Sequence, residues 1–191
     1  MLKQYKGAFL IGILQLAKER LAQSANPEGV YVDFTMGKGR DTLFLASLAP
    51  RGRIYAFDVQ PAALEATRAL LDAHGVENVT LIQASHERFR EYVEGPIDGG
   101  LFNLGFLPGG DRSLTTRRSS TIPAVTGALE ALKIGAALGV AVYPGHEEGR
   151  LEGEELQRRL AGLPKEKFDV FLYRLLNVPE SPYMIVAERR G

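Results

Sequence analysis

The sequence contains neither cysteine nor tryptophan, has only three histidines, and carries as many acidic as basic residues. The lack of cysteine excludes disulfides, thiolate catalysis and cysteine-ligated zinc or iron–sulfur centres. The histidines, His74, His86 and His146, show no metal-ligand spacing, so we expect no metal site. A formal net charge of zero excludes a global basic field for nucleic acid, although a local basic patch stays open.

Long apolar runs are also missing. No run approaches the ~20 residues of a membrane span, and Lys3, Lys6 and Lys18 leave only a short apolar stretch, unlike a signal peptide. We therefore expect a cytoplasmic protein without membrane association. The length of 191 residues favours one domain with a sizeable core. We predict a single domain over 1–191, in which a helix within 1–25 packs on the core or extends it.

Short apolar runs alternate with helical patterns along the chain. The runs predict strands at 30–34, 53–58, 79–83, 99–103, 136–143, 168–175 and 183–188. Apolar residues at helical spacing predict helices at 8–22, 42–48, 61–74, 122–132 and 151–161, with a short one at 87–92.

This alternation predicts a parallel sheet joined by right-handed crossovers. Residues 176–182 are too few for a helical crossover, so the last two strands should pair antiparallel. The predicted fold class is therefore α/β, a Rossmann-like domain with a seven-stranded, mostly parallel sheet and an antiparallel last strand. This arrangement is expected of class I methyltransferases. It counts against a dehydrogenase, whose strands would normally continue in parallel.

Segment 31–41, YVDFTMGKGRD, predicts a short buried strand, a glycine-containing turn and the start of a helix. Asp33 would end the strand. Gly37 and Gly39 would let the turn backbone approach a ligand next to the free N–H groups of the helix. Asp58 would end the next strand, where a carboxylate can accept both hydroxyls of a ribose. The sequence therefore predicts a nucleotide-binding corner.

The chemistry of this corner favours S-adenosylmethionine over a dinucleotide. Thr35 stands where a dinucleotide-binding turn carries its first glycine, so the pyrophosphate cradle is incomplete. S-adenosylmethionine has no phosphate and needs a carboxylate, a close glycine backbone and a slot for adenine. We predict S-adenosylmethionine as the cofactor, while another nucleotide and a purely structural turn stay open.

The fourth strand ends in Asn103, within the segment NLGFLP. Ligands of doubly wound folds bind at the carboxyl ends of the strands, so this segment should face the ligand. Asn103 resembles the first residue of the D/N/S-P-P-Y/F motif of amino-group methyltransferases, with Leu104 and Gly105 in place of the prolines. Its amide oxygen can accept a hydrogen of a target amine, and Phe106 can stack on the target. A cap on the loop after the strand is the alternative.

The polar segment 107–121 is long for a connection within a compact domain, and such loops are usually functional or disordered. It contains Arg112, Arg117 and Arg118, interspersed with serine and threonine, and all these side chains can bind phosphates. We expect the loop to contact RNA beside the target slot. Incidental charges in a solvated loop are the alternative.

Two histidines follow predicted strands at the same edge of the sheet. His146, after the fifth strand, is a candidate to accept a proton from the reacting group, because the unperturbed pKa of histidine is about 6.5. It could instead bind RNA or brace its loop. His86, after the third strand, would lie where adenine often binds, and Ser85 could bond the adenine amino group.

Several segments in combination resemble one family. The segments DFTMGKGRDTLFLA, YAFDVQ, NLGFLPGGDRSLTT, SSTIPA and YPGHEEG are similar to those of YtqB-like proteins, long described as rRNA methylases. The resemblance covers residues 33–149, and 177–183 fits the terminal hairpin of the family. The sequence departs from the family pattern at Lys38, Arg40, Pro144 and Arg118.

The resemblance implies an S-adenosylmethionine-dependent enzyme. Some members methylate the 5-aminomethyl group of the wobble uridine in tRNA, which gives 5-methylaminomethyl-(2-thio)uridine. We therefore expect tRNA as the partner, through its anticodon stem-loop, and the oligomeric state stays open, a homodimer included. The alternatives are methylation of rRNA or of another amino group, an NAD-binding oxidoreductase, and an RNA-binding module without activity.

Motifs and resemblance together predict three groups of site residues. The predicted cofactor-binding residues are Asp33, Thr35, Gly37, Gly39, Asp41, Thr42, Asp58, Gln60, Ser85, His86 and Asn103. The predicted catalytic residues are Asn103 and His146. The predicted substrate- or RNA-binding residues are Phe106, Leu107, Pro108, Arg112, Arg117, Arg118, Tyr143 and His146.

Overall fold

A computed structural model of the protein describes residues 2–106, 115–178 and 180–191, and for residues 2–11 and 13 it describes the backbone alone. The helices are α1 (Leu2–Gln23), α2 (Arg40–Leu48), α3 (Pro61–Ala73), α4 (Arg118–Ala131) and α5 (Glu147–Ala161), with a short 3-10 helix at His86–Glu91. The strands are β1 (Val30–Asp33), β2 (Arg53–Asp58), β3 (Val79–Gln83), β4 (Ile97–Asn103), β5 (Leu132–Val142), β6 (Phe168–Tyr173) and β7 (Tyr183–Arg189).

The strands form one sheet in the order β3-β2-β1-β4-β5-β7-β6. Strand β1 pairs in parallel with β2 and β4, whereas β7 pairs antiparallel with both β5 and β6. The predicted fold class, an α/β Rossmann-like sheet with an antiparallel last strand, is therefore confirmed. The strand order turns back between β1 and β4, and ligands of such sheets bind at this switch point, beyond the carboxyl ends of the strands.

Strands β2 and β3 have the predicted bounds, whereas α1, α2, α4 and α5 begin earlier than predicted. The helix predicted over 122–132 begins at Arg118, and the helix predicted over 151–161 begins at Glu147. Both first turns are polar, so the apolar periodicity begins only after the helix has started. Residues 118–121, predicted as loop, therefore form the first turn of α4.

Helix α1 packs closely on the sheet because a glycine leaves room for it. A Cβ on Gly139 of β5 would lie 2.8 Å from Leu101 Cδ2 and 2.9 Å from Ala17 Cβ of α1. Ala17 and Leu21 are buried in this contact, and Lys18 is thereby held against the start of α2. Among the helices of the described residues, none is long and apolar enough to cross a membrane.

The buried Asp98 ties the sheet together at the end opposite the switch point. Its carboxylate accepts hydrogen bonds from Asn26 Nδ2 at 3.0 Å, from the Val30 amide at 2.9 Å and from Lys133 Nζ at 2.7 Å. Burial alone would raise the pKa of Asp98, but these hydrogen bonds outweigh it and the pKa is lowered. The starts of β1, β4 and β5 are therefore fixed to one another, and so is the alignment of their carboxyl ends.

Candidate active site

The turn between β1 and α2 has a backbone shape that only glycine adopts readily. Gly37 and Gly39 have φ values of 52° and 80°, and a Cβ on Gly39 would lie 2.9 Å from Thr67 Cγ2. Asp58, at the end of β2, supports this turn, because its carboxylate accepts from the amides of Gly37 at 3.1 Å and Gln60 at 3.0 Å. A carboxylate oxygen has more than one lone pair, so Asp58 can accept further hydrogen bonds from a ligand.

Asp33 is buried beneath the same turn, with 1% of the residue exposed. Thr42 Oγ1 donates to one carboxylate oxygen at 2.6 Å, and the Thr35 amide donates to the other at 3.1 Å. Burial raises the pKa of Asp33 to about 7, and the nearby negative charge of Asp41 adds to the shift. Asp33 therefore holds the turn from below, and its predicted contact with the cofactor stays a prediction.

A chain of polar contacts runs from α1 to the end of β4. Lys18 Nζ pairs with Asp41 Oδ1 at 2.7 Å, and Asn103 Nδ2 donates to Asp41 Oδ2 at 3.4 Å. The Asn103 backbone amide donates to Thr35 Oγ1 at 2.7 Å. A carboxylate only accepts, so the amide nitrogen of Asn103 must face Asp41 and its oxygen Oδ1 is left to accept from another group. The structure thus brings together Thr35, Asp41 and Asn103, all predicted as site residues.

Tyr143, predicted to bind substrate, lies next to this chain of contacts. Burial raises the pKa of Tyr143 to about 12, and the negative charge of Asp41 adds to the shift, so the phenol is neutral at physiological pH. A Cβ on Gly105 would lie 4.0 Å from Tyr143 Cδ2. Tyr143 and the segment after Asn103 therefore line the same part of the crevice.

The segment after β4 is held by residues that precede α4. Gly105, with φ of 116°, donates its amide to Thr116 Oγ1 at 2.9 Å, and the Thr116 amide donates to the Gly105 carbonyl at 3.0 Å. Phe106 and Thr115 form an isolated antiparallel bridge. Phe106 is exposed, as a residue that stacks on a target would be.

His146 is the N-cap residue of α5, where its Nδ1 accepts from the Gly149 amide at 3.1 Å. Of the three roles considered for His146, this contact corresponds to bracing the loop. Acceptance of a proton would have to use the other ring nitrogen, Nε2, and stays a prediction.

His86 is buried, and both of its ring nitrogens contact protein atoms. Nδ1 lies 3.2 Å from the Phe34 carbonyl oxygen, and Nε2 lies 3.4 Å from Thr121 Oγ1. Burial lowers the pKa of His86 to about 4, so its ring is neutral at physiological pH. The structure therefore gives His86 a packing role. Its predicted contact with adenine, like that of the half-buried Ser85, stays a prediction.

The predicted RNA-binding arginines differ in their surroundings. Arg117 is exposed, whereas Arg118 Nε pairs with Glu148 Oε1 at 3.2 Å and the Arg118 amide donates to the same oxygen at 3.0 Å. The other predicted residues of this loop, Leu107, Pro108 and Arg112, lie outside the described residues. Among the residues that are described, no cluster of His, Asp or Glu is arranged to hold a metal ion.

Three polar residues of this region were not predicted from the sequence. Lys18 reaches the site from α1, Thr116 holds Gly105, and the buried Glu152 of α5 accepts from Thr116 Oγ1 at 3.0 Å. The sequence carries no signal for Lys18 or Glu152, since each stands among other charged residues of a helix.

The strand order and the polar strand ends around a glycine turn are those of Rossmann-like methyltransferases. Residues 54–189 match a family model described as "Putative rRNA methylase". The chain belongs to this family, and the resemblance to YtqB-like proteins is confirmed.

Curated relatives cover different shares of the chain. The tRNA (mnm(5)s(2)U34)-methyltransferase, chloroplastic, of Arabidopsis thaliana is 33% identical over 171 residues, which are 83% of this chain and 62% of that protein. Ribosomal RNA small subunit methyltransferase H of Nitrosospira multiformis is 38% identical over 98 residues, 49% of this chain and 29% of that protein. The chain thus spans less than two thirds of the length of these relatives.

Solved structures are similar over nearly the whole chain. A Clostridium thermocellum protein that carries the same family description has a TM-score of 0.89 at 33% identity, with 93% of this chain and 97% of that chain covered. A Streptococcus mutans protein in complex with S-adenosylhomocysteine has a TM-score of 0.86 at 36% identity, with the same coverage.

The raised pKa of Asp33 makes the stability of the protein depend on pH. The folded state keeps a proton on Asp33 that the unfolded chain releases, so this contribution is complete below about pH 4 and is lost as pH rises through about 7. Asp33→Asn removes the titration. Its free energy of unfolding relative to the wild type should therefore increase by roughly 1–3 kcal/mol between about pH 5 and pH 8.

Denaturant titrations across this pH range measure the difference. Asp72→Asn, at an exposed position of α3, is the matched control and should show no such trend. A difference between Asp33→Asn and the wild type that is the same at every pH would contradict the prediction.

Proposed function

We propose that the protein is an S-adenosylmethionine-dependent RNA methyltransferase that methylates the 5-aminomethyl group of the wobble (2-thio)uridine in tRNA. The product would be 5-methylaminomethyl-(2-thio)uridine. The observation that carries the proposal is the Asn103 side chain, a neutral acceptor fixed by Asp41 at the end of β4, beside the glycine turn. The name of the Arabidopsis relative supports the same substrate.

The acceptors around the turn fit a cofactor without phosphate. Asp58 offers a carboxylate at the end of β2, and its negative charge suits the cationic S-adenosylmethionine and would repel a pyrophosphate. Gly37 and Gly39 allow close approach of the backbone. The S-adenosylhomocysteine complex of the Streptococcus mutans relative supports this assignment.

The chemistry requires orientation more than strong base catalysis. S-adenosylmethionine, when bound, supplies a methyl group that the amine lone pair takes, and the C–S electron pair stays on sulfur. A neutral primary amine is already a good nucleophile, so the protein must mainly hold its hydrogens in place. Asn103 Oδ1 would accept one of them. His146 Nε2 or a water would receive the proton that the methylated amine releases.

The Lys18–Asp41 ion pair keeps the surroundings of the Asn103 Oδ1 acceptor without net charge. Without a counter-ion, the Asp41 carboxylate beside Asn103 would favour the protonated form of the substrate, which is not nucleophilic. Lys18, 2.7 Å from Asp41, offsets that charge. Asp41 then orients the Asn103 amide without binding the ammonium form strongly.

Methylation of rRNA is the second candidate function, favoured by the family description and by the Nitrosospira relative. The two candidates are separated by incubating bulk tRNA and ribosomal RNA with the enzyme and labelled S-adenosylmethionine, followed by nucleoside mass spectrometry. Label in 5-methylaminomethyl-(2-thio)uridine supports the proposal. Label only in a ribosomal nucleoside, or in none, contradicts it.

Asp58→Ala tests the cofactor corner. The substitution removes a charged acceptor for the ribose and should weaken S-adenosylmethionine binding by roughly 1.5–3 kcal/mol in calorimetric titrations. Asp72→Ala, an exposed aspartate on α3, is the control and should bind normally. Unchanged binding to a folded Asp58→Ala protein, or preference of the wild type for NAD over S-adenosylhomocysteine, would argue against the assignment.

Two substitutions of Asn103 test the amine-orienting role. Asn103→Ala removes the acceptor without adding charge and should lower kcat about 10- to 100-fold at every pH. Asn103→Asp adds a negative charge that favours the ammonium form of the substrate, so its rate profile should move up by about one pH unit. Both variants should still bind S-adenosylmethionine.

Rates against pH for the three enzymes decide between this role and a structural cap. Near-normal turnover of Asn103→Ala would leave Asn103 as a cap on the strand end.

Arg117→Ala tests the RNA-binding surface. Loss of one phosphate contact should weaken tRNA binding and lower the slope of log affinity against log salt concentration by about one. Affinity for S-adenosylmethionine should not change. Arg51→Ala is the control, because Arg51 is exposed and precedes β2, at the end of the sheet opposite the carboxyl ends of the parallel strands. An unaltered salt slope for Arg117→Ala would move the RNA site elsewhere.

A further inference from the structure

The carboxylate of Glu152 is buried on α5, and none of the proposed reaction steps involves it. Only 1% of the residue is exposed, and burial raises its pKa, while the hydroxyls of Thr121 and Thr116 oppose the shift. Glu154, on the same helix, instead lies in solvent and pairs with Arg150 at 2.7 Å. Burial of a carboxylate costs several kcal/mol, so a role in the site would account for its position.

Glu152 sets the direction of two hydrogen bonds. Thr116 Oγ1 lies 3.0 Å from Glu152 Oε2 and 2.9 Å from the Gly105 amide nitrogen. A threonine hydroxyl has one hydrogen, and a carboxylate can only accept, so the hydroxyl donates to Glu152. Its lone pair must then accept from the Gly105 amide. The order of donation is therefore Gly105 to Thr116 to Glu152.

This relay fixes the orientation of the peptide between Leu104 and Gly105. In a planar trans peptide the carbonyl points opposite to the N–H of the following residue. With the Gly105 N–H directed at Thr116, the Leu104 carbonyl is directed away from it. The Leu104 amide donates to the Ala141 carbonyl at 3.0 Å, and the Leu104 side chain is buried, so the peptide is held on its other side as well.

The target amine needs more than one acceptor. A primary amine that attacks through its lone pair still carries two hydrogens, and Asn103 Oδ1 can hold one of them. The Leu104 carbonyl belongs to the next residue along the chain. It is a backbone acceptor, and its direction is set by the orientation of the peptide between Leu104 and Gly105.

We infer that Glu152 is a positioning residue, which acts through Thr116 to aim the Leu104 carbonyl at the second hydrogen of the substrate amine. The inference rests on the proposed methylation of a primary amine. It extends the site to α5, so that the amine is oriented by a side-chain acceptor from β4 and by a backbone acceptor that α5 holds in place.

The test compares variants that break the relay with variants that keep it. Thr116→Val and Glu152→Leu each remove one link of the relay. Both should lower kcat for tRNA methylation by about tenfold or more, with calorimetric affinity for S-adenosylmethionine little changed. Thr116→Ser and Glu152→Gln keep the hydroxyl and the acceptor and should recover most of kcat.

Two further measurements separate positioning from a general packing effect. The double variant Thr116→Val/Glu152→Leu should be no slower than the slower single variant, because one relay is broken in each case. Thr126→Val removes a threonine hydroxyl that bonds the Ile122 carbonyl on α4, away from the relay, and it should leave kcat unaltered.

The possible failures can be told apart. A wild-type enzyme without methyl transfer to tRNA would overturn the proposed function and the inference with it. An active wild type with normal kcat in Thr116→Val would overturn the inference alone. Loss of cofactor binding together with kcat in both relay-breaking variants would also overturn it, since Glu152 would then support the fold rather than the amine.

Discussion

The hydrogen bond between the Asn103 amide and the Thr35 hydroxyl joins the two halves of the site. Thr35 belongs to the glycine turn after β1 and Asn103 ends β4, and their 2.7 Å contact lies beyond the pairing of Asp33 with Leu101. The Phe34 amide also donates to the Leu101 carbonyl at 2.9 Å. Turn and strand end therefore cannot move independently. A reaction between two bound molecules depends on such fixed spacing, because small displacements cost orders of magnitude in rate.

Three carboxylates surround this junction, and each is stabilised in a different way. Asp33 is buried with a raised pKa and accepts hydrogen bonds from Thr42 of α2 and from the Thr35 amide of the turn. Asp41 pairs with Lys18, and Asp58 accepts backbone amides of the turn. Only Asp58 is more than marginally exposed. The carboxylate with the best access to a ligand is therefore also the one whose partners are fixed backbone groups, which makes its geometry independent of side-chain rotamers.

The strand ends could be predicted from the sequence because their pattern is local. Asp58 and Asn103 each follow an apolar run directly, and the rule that ligands bind at the carboxyl ends of strands then locates them. Lys18 and Glu152 could not be predicted, since their positions depend on how helices pack on the sheet. The starts of α4 and α5 were predicted too late because their first turns are polar, and Thr116 stands just before one of them.

Helix α1 carries Lys18 to the site from outside the segment 54–189 that the family model matches. A fragment that began at β1 would keep every strand of the sheet, yet Asp41 would lose its counter-ion beside Asn103. An unbalanced carboxylate there would attract ammonium ions and stabilise them against loss of a proton. On the proposed chemistry, removal of an apparently peripheral helix would turn a pocket for a reactive amine into a trap for its inert, protonated form.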